Sequence, residues 1–224
     1  MVGLDDRAVR GKMRPDSEQH RWRFHCCLED PVDFVGFEEA WKSLAPLHVI
    51  RLETSTEEAF RPGLDDSDEL VIFDLCGSTP DADAIQLEIP RERAADALEA
   101  LIHKLHLAPL LLFPVGPWRK VFDAITFELA ENENWQEIES ASIVALNTHD
   151  PLMCEPVDLH LVHDIFASIL KVGEDPLQGM TLAALGKPLL ICAEPPGHLR
   201  IELGRESLAA EVRDLIEPFA STGS

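Results

Sequence analysis

Between residues 69 and 105 the period of apolar and polar positions changes, and the change predicts two strands followed by a helix. Residues 70–73 form a continuous apolar run, and residues 85–89 alternate as in a half-buried strand. The segment at 76–83 has the composition of a turn, so the two strands are expected to form a β-hairpin. After residue 90 the apolar positions follow the spacing of one helix face, at Ala94, Leu98, Leu101 and Leu105.

A similar unit closes the chain. Residues 87–92 (LEIPRE) align with residues 201–206 (IELGRE), and the apolar positions of the two following helices match. A middle copy is predicted from an apolar run at 110–113, a hairpin loop at 114–120 and a strand at 124–129, again followed by a helix. Internal similarity of this kind indicates duplication, with three independent amphipathic units of similar length as the alternative.

The remaining segments complete one domain. Residues 1–19 are polar and mixed in charge, which predicts a disordered arm, and residues 221–224 predict a frayed tail. Between them we expect a single α+β domain over residues 20–220, with 20–108 and 109–220 as two similar halves.

Other elements follow from the same periods, and two of them stay open. Residues 157–172 predict a helix, with a strand at 157–161 that runs into a helix as the alternative, and the type of 180–185 is left undecided. The further expected elements are strands at 22–26, 48–53 and 142–147, a helix at 34–44, and an exposed acidic excursion at 54–69.

The predicted fold class is α+β, a largely antiparallel or mixed sheet built from repeated strand-strand-helix units with helices packed on one face. Glu88, Glu128 and Glu202 occupy outward positions of three strands, as expected for a sheet with one solvated face. Other strands are apolar on both faces and need a second layer or a partner subunit, so a homodimer is expected; these are residues 70–73, 110–113 and 189–192.

Charge narrows the possible partners. The chain of 224 residues has a formal net charge of -22 and 46% hydrophobic residues, typical of a folded acidic protein. Nucleic-acid binding is disfavoured because it requires a basic stripe, and the sequence has none. An acidic surface can receive a basic protein partner, but solvated helix faces are the simpler interpretation.

The lack of a recognisable signal peptide and the pattern of cysteines favour a cytoplasmic protein. Residues 1–19 lack the apolar core of a signal peptide, and no apolar run approaches the roughly 20 residues of a membrane span, so no membrane association is expected. The cysteines are odd in number and follow no CxxC spacing, which indicates reduced thiols; they are Cys26, Cys27, Cys76, Cys154 and Cys192.

One stretch has the density of a metal site. Its donors are His149, Asp150, Cys154, His160 and His163, a set from which zinc takes three or four ligands. The spacing matches no standard motif, so the alternative is surface histidines beside a loop with Cys154 packed inward. Cys154 with His149 or His163 is also the candidate nucleophile and base of a thiol enzyme.

A second candidate site combines Trp118, Arg119, Lys120 and His198. If the three predicted hairpins are equivalent, their loops share one edge of the sheet and these residues become neighbours. The edge would then bind an anionic ligand or an acidic partner segment, with Trp118 as the anchor. The alternative is that Trp118 folds back onto the sheet.

These patterns favour a non-catalytic binding or regulatory protein that acts through a sheet face or the hairpin-loop edge. The sequence contains no GxSxG elbow, P-loop or Rossmann glycine string, and no cofactor is predicted apart from zinc as the alternative. The competing hypothesis is a metal- or thiol-dependent hydrolase that uses the cluster between His149 and His163.

Overall fold

An eight-stranded β-sheet forms the middle layer of the protein. The structure, a computed structural model, describes residues 33–53, 59–65, 69–77, 83–141 and 146–220. All of them lie within one compact unit that extends from residue 31 to residue 224. The predicted arm at 1–19, the strand at 22–26, most of the strand at 142–147 and the tail at 221–224 lie outside the described residues.

Strands supply two sheets of very different size. The described strands are β1 (Asp33–Phe34), β2 (Val49–Glu53), β3 (Phe60–Leu64), β4 (Val71–Cys76), β5 (Ile85–Gln86), β6 (Leu110–Pro114), β7 (Leu152–Cys154), β8 (Met180–Ala184), β9 (Leu189–Glu194) and β10 (His198–Leu203). The large sheet has the order β1-β7-β6-β8-β9-β10-β4-β5, and β2 pairs with β3 as a separate ribbon. Both edge strands of the large sheet are only two residues long, which leaves little backbone for pairing with another chain.

Helices cover one face of the large sheet. The described helices are α1 (Phe37–Leu44), α2 (Arg91–Leu105), α3 (Trp118–Ile125), α4 (Glu133–Ala141), α5 (Leu159–Val172) and α6 (Glu206–Ile216). Buried residues of α2 to α6 form one core with the inward side chains of the sheet. Helix α5 packs against both α2 and α3, and α2 also packs against α6. The order of these helices across the sheet is therefore α3-α5-α2-α6.

The ribbon of β2 and β3, together with α1, covers the other face. Phe60 and Leu64 of the ribbon and Leu44 of α1 share a second core with Phe113 and Leu190 of the sheet. The prediction that strands apolar on both faces need a second cover is therefore confirmed, and the covering layer comes from the same chain. None of the described helices is long and apolar enough to cross a membrane.

The α+β fold class with a largely antiparallel sheet is confirmed, and so is the C-terminal unit. Strands β9 and β10 form an antiparallel hairpin, and α6 follows directly. The two open segments are also resolved. Residues 180–184 are strand β8, and α5 starts at Leu159 after a 3-10 turn at Pro156–Asp158.

The predicted middle copy is wrong as a strand-strand-helix unit, although its first strand is β6 and its helix is α4. Residues 118–125 are helix α3, so 114–120 is not a hairpin loop and 124–129 is not a strand. The buried residues Trp118, Val121, Phe122 and Ile125 follow the i, i+3, i+4, i+7 spacing of a helix. This spacing prevails over the short alternation of Ile125, Phe127 and Leu129.

Two further details also differ from the prediction. Strands β4 and β5 pair in parallel, so the first unit contains no β-hairpin. The segment at 54–69 is not wholly an exposed excursion, because Phe60–Leu64 is strand β3 and most of its side chains are buried. Pro62 lies in this strand, in a two-stranded ribbon where each strand has a free edge, which is where proline is tolerated.

The covering layer depends on apolar burial, and replacing Phe60 tests this. Phe60 is 2% exposed and contacts the rings of Phe37 and Trp41. We expect Phe60→Ala to lower the free energy of unfolding by about 3–5 kcal/mol in denaturant titrations. Ile50→Ala on the same ribbon is the control; because Ile50 is 38% exposed, its cost should stay below about 1 kcal/mol. If both variants lower the free energy of unfolding equally, the covering layer does not depend on the burial of Phe60.

Candidate functional site

The predicted metal and thiol residues have separate partners in the structure. Cys154 is fully buried in the helix-side core, and burial raises the pKa of its thiol far above the usual range. His149 instead lies on the ribbon side, where its ring centroid is 5.0 Å from that of Phe60. Burial lowers the pKa of His149, with Arg51 acting in the same direction. A thiol this buried is a poor nucleophile, and the contact shown for His149 is with Phe60 on the ribbon side.

The other three predicted ligands are held in local contacts. His163 lies between two carboxylates, with Nε2 3.1 Å from Oδ1 of Asp96 and Nδ1 3.0 Å from Oδ1 of Asp164. His160 is exposed and 3.8 Å from Glu99, and Asp150 Oδ1 accepts a hydrogen bond from the backbone N–H of Phe37. Within the described part of the chain, no group of three or more His, Cys, Asp or Glu side chains is arranged to hold a metal ion.

Trp118 is not at the surface. It is 1% exposed, and its indole N–H donates to the backbone oxygen of Asp150 at 2.8 Å. Arg119 and Lys120 are exposed; Arg119 Nε donates to Oδ1 of Asn147, and Lys120 lies 3.9 Å from Asp175. The alternative considered from the sequence, in which Trp118 folds back, matches this arrangement.

The chain segments after β4, β6 and β9 do lie at one end of the sheet. Pro114 is opposite Met180, Met180 is opposite Ala193, and the adjoining strand β10 brings Leu199 opposite Cys76. His198 nevertheless pairs with Asp74 and Glu194 on the ribbon side, whereas Trp118 belongs to the helix-side core. The structure therefore does not join Trp118 and His198 in one binding site.

A polar row on the face of the sheet that carries the ribbon was not predicted from the sequence. The sheet register places Thr181, Cys192, Arg200, Asp74 and Gln86 next to one another across five strands. Thr181 Oγ1 donates to Cys192 Sγ, and Gln86 Nε2 donates to Asp74 Oδ2 at 3.0 Å. The available signal was a charged residue, such as Asp74, inside a strand that is otherwise apolar.

Glu202 is part of this buried polar cluster, and its predicted outward position is wrong. It is 3% exposed, because the ribbon lies over this part of the sheet. Arg61 of the ribbon donates to Glu202 Oε1 at 2.8 Å, and the backbone N–H of Leu64 donates to Oε2 at 3.1 Å. Arg200 Nε is also 3.3 Å from Oε1. Glu88 and Glu128, the other two glutamates predicted to face outward, are exposed as predicted but lie outside strands.

His198 links the cluster to the loop end of the sheet. Its Nε2 is 3.3 Å from Asp74 Oδ1, and its Nδ1 is 3.5 Å from Glu194 Oε2. The contact with Glu194 raises the pKa of His198 and lowers that of Glu194, although burial opposes both shifts. A protonated His198, together with Arg61 and Arg200, balances three carboxylates. The residues that form the cluster are Arg61, Asp74, Cys192, Glu194, His198, Arg200 and Glu202.

The chemistry of this cluster is structural. Burial raises the pKa of Cys192 to about 12, and that of Cys76 nearby to about 11, so both thiols are protonated at neutral pH. A cleft of about 320 Å³ opens beside the cluster, lined by Asp74, Gln86 and Arg91 among others. Asp74 already contacts both His198 and Gln86 within the sheet. Arg61 of the ribbon pairs with Glu202 and Glu194 of the sheet, so the cluster holds ribbon and sheet together.

A second surface lies between helices α3 and α4. A groove of about 560 Å³ is lined by Arg119, Phe122, Asp123, Thr126, Phe127, Gln136, Glu139 and Leu146. Phe127 is 90% exposed, an unusual state for a phenyl ring. Thr126 Oγ1 donates to Oε1 of Glu139 at 3.4 Å and bridges the two helical segments. Of the residues predicted to bind a partner, Arg119 is in this groove.

The ion pair between Arg61 and Glu202 is expected to be the critical polar contact. Arg61→Ala leaves a buried carboxylate without its cation from the ribbon, and we expect a loss of about 3–5 kcal/mol in the free energy of unfolding. The control is Lys120→Ala, which removes an exposed pair and should cost no more than about 1 kcal/mol. Arg61→Met combined with Glu202→Leu should recover part of the lost free energy of unfolding, because it also removes the carboxylate. If nothing is recovered, the unpaired charge of Glu202 is not the cause of the loss.

The raised pKa of His198 gives a pH dependence with a definite sign. Stability from its ion pairs is fully present below the ordinary histidine pKa of about 6.5 and is lost as the pH rises through the folded-state value. The stability difference between wild type and His198→Gln should therefore be larger at about pH 5.5 than at about pH 8.5 in urea titrations. His149→Gln should show the opposite trend, since the pKa of His149 is lowered. NMR titration of each imidazole checks the two directions.

Comparisons with known proteins identify no relative from which a role can be transferred: the chain matches no protein-family model, no curated protein and no solved structure.

Proposed function

We propose that this protein is a non-catalytic binding protein and that the groove between α3 and α4 is its binding surface. The observation that carries the proposal is Phe127, whose ring is 90% exposed beside a groove of about 560 Å³. An exposed aromatic ring next to a concave surface is typical of an interface anchor, because burying it on binding gives a large free-energy gain.

The states of the reactive side chains support a role in binding. Cys154 and Cys192 are buried and protonated at neutral pH, and His163 and His198 are each held between two carboxylates. Groups fixed in this way stabilise the fold and are poorly placed to attack or deprotonate a substrate. The hydrolase hypothesis required the cluster from His149 to His163 to converge, and its members contact different parts of the structure.

Self-association and a cytoplasmic location remain predictions from the sequence. The reason for expecting a homodimer was that several strands are apolar on both faces. Those faces are covered within the chain by α1 and the ribbon, so the partner proposed here is a different protein.

Photocrosslinking at position 127 tests the proposal. With a benzophenone amino acid at residue 127, we expect one discrete adduct with a protein of the native host after irradiation in cells. The same group at residue 157 is the control, because Val157 is 81% exposed but does not line the groove. Thr126→Trp, which fills the groove, should abolish the adduct and lower the melting temperature only slightly, because the hydrogen bond that it removes is exposed. Equal labelling from both positions, or none from residue 127, would overturn the proposal.

A further inference from the structure

The chain after Arg119 and Lys120 contains no cation over a long stretch. Residues 121–170 contain no Lys or Arg, and they include ten acidic residues: Asp123, Glu128, Glu131, Glu133, Glu137, Glu139, Asp150, Glu155, Asp158 and Asp164. This stretch contributes most of α3, all of α4 and nearly all of α5. Because no cation offsets these acids, the stretch that includes Phe127 carries -10 of the formal net charge of -22.

Exposed carboxylates lie in the groove and in the chain segment that joins α3 to α4 beside it. Asp123 and Glu139 line it directly, from α3 and α4. Glu128 and Glu131 belong to the turns that join the two helices, and Glu133 opens α4; all three are exposed. Glu128 is paired with Lys171 of α5. Several carboxylates on one rim create a negative potential that attracts cationic partners and repels anionic ones.

The groove also offers apolar surface. Phe122 and Leu146 line it together with Phe127, so its lining joins a patch of apolar carbon to an acidic rim. Arg119 is the cation in the lining, and its Nε donates to Oδ1 of Asn147 at 3.3 Å. A partner that matches this surface needs an apolar side chain beside basic ones.

We infer that the groove binds a basic, amphipathic segment of a protein partner, with an apolar residue packed against Phe127 and Lys or Arg side chains facing the rim. The inference rests on the proposed function and adds the chemistry of the partner. The partner's apolar residue supplies burial, while its cations supply steering and orientation. The groove volume lies within the range of ordinary ligand-binding pockets.

The same charges disfavour two other occupants. A second copy of this chain would bring one acidic rim against another if it docked through this surface, because a two-fold interface places the same patch on both sides. Nucleic acid would place phosphates against carboxylates.

Peptide titration tests the chemistry directly. The probes are a short amphipathic peptide of Lys and Leu, its counterpart with Glu for every Lys, and its counterpart with Ser for every Leu. We expect only the Lys/Leu peptide to bind, with NMR shift changes at residues 119–139 and affinity that falls steeply between about 50 and about 500 mM salt. Phe127→Ser should weaken binding about tenfold or more.

A matched pair of charge reversals separates a site from general attraction. Asp123→Lys on the groove rim and Asp214→Lys on α6 change the net charge equally, and both residues are exposed. Asp123→Lys should weaken the Lys/Leu peptide by at least about fivefold, a loss of about 1 kcal/mol, and Asp214→Lys should leave it almost unchanged. Equal weakening by the two variants, binding of the Glu/Leu peptide, or no binding would overturn the inference.

Photocrosslinking distinguishes this inference from the proposed function. If no adduct forms at residue 127, the binding surface itself is wrong. If an adduct forms and its attachment site on the partner is acidic or uncharged, or if it has the mass of two copies of this chain, the surface stands and the basic partner is wrong.

Discussion

The architecture depends on strands that are apolar on both faces. Strands β6, β8 and β9 lie in the centre of the large sheet, and nearly all of their side chains are buried. A sheet of this kind is stable only when both faces are removed from water. Helices α2 to α6 cover one face, and the ribbon of β2 and β3 covers the other with α1. The protein therefore has three layers, whereas each predicted strand-strand-helix unit supplied only two, a sheet and a helix.

The second cover explains the buried charges. Strand β10 alternates Arg200 and Glu202 with apolar residues, a pattern that a solvated face would tolerate at no cost. Once the ribbon lies over this face, each charge loses its hydration and needs a partner. Arg61 of the ribbon supplies one partner, and the backbone N–H of Leu64 supplies another. His198 extends the same compensation to Asp74 and Glu194 at the end of the sheet.

The helical layer leaves the surface best suited to binding. Both faces of the sheet are largely covered. The segments that follow β4, β6 and β9 lie at one end of the sheet, but they do not bring Trp118 and His198 into one site. Helix α3 turns Trp118 inward and places Arg119 in the groove. Phe127 follows α3 outside regular structure and stays exposed. The sequence correctly places the ends of β4, β6 and β9 at one end of the sheet. Its aromatic candidate there, Trp118, is buried, whereas Phe127 is exposed.

The sequence by itself determined the elements with a long and regular period. Helix α2 and the hairpin of β9 and β10 with α6 follow from apolar spacing, and so does the need for a cover on both faces of the sheet. Short segments were ambiguous, because residues 124–129 alternate like a strand over a few positions while the preceding residues have helical spacing. The predicted metal ligands between His149 and His163 are also close only in sequence and do not form a cluster in the structure.

Tertiary structure alone decided which side chains meet. Cys154 and His149 are five residues apart, yet Cys154 is in the helix-side core and His149 contacts Phe60 of the ribbon-side core. Arg61 and Glu202 are 141 residues apart, yet they form the central ion pair. Local periodicity reports which face of an element is apolar, because it depends on neighbouring residues. It does not report which other element covers that face, because the cover comes from distant parts of the chain.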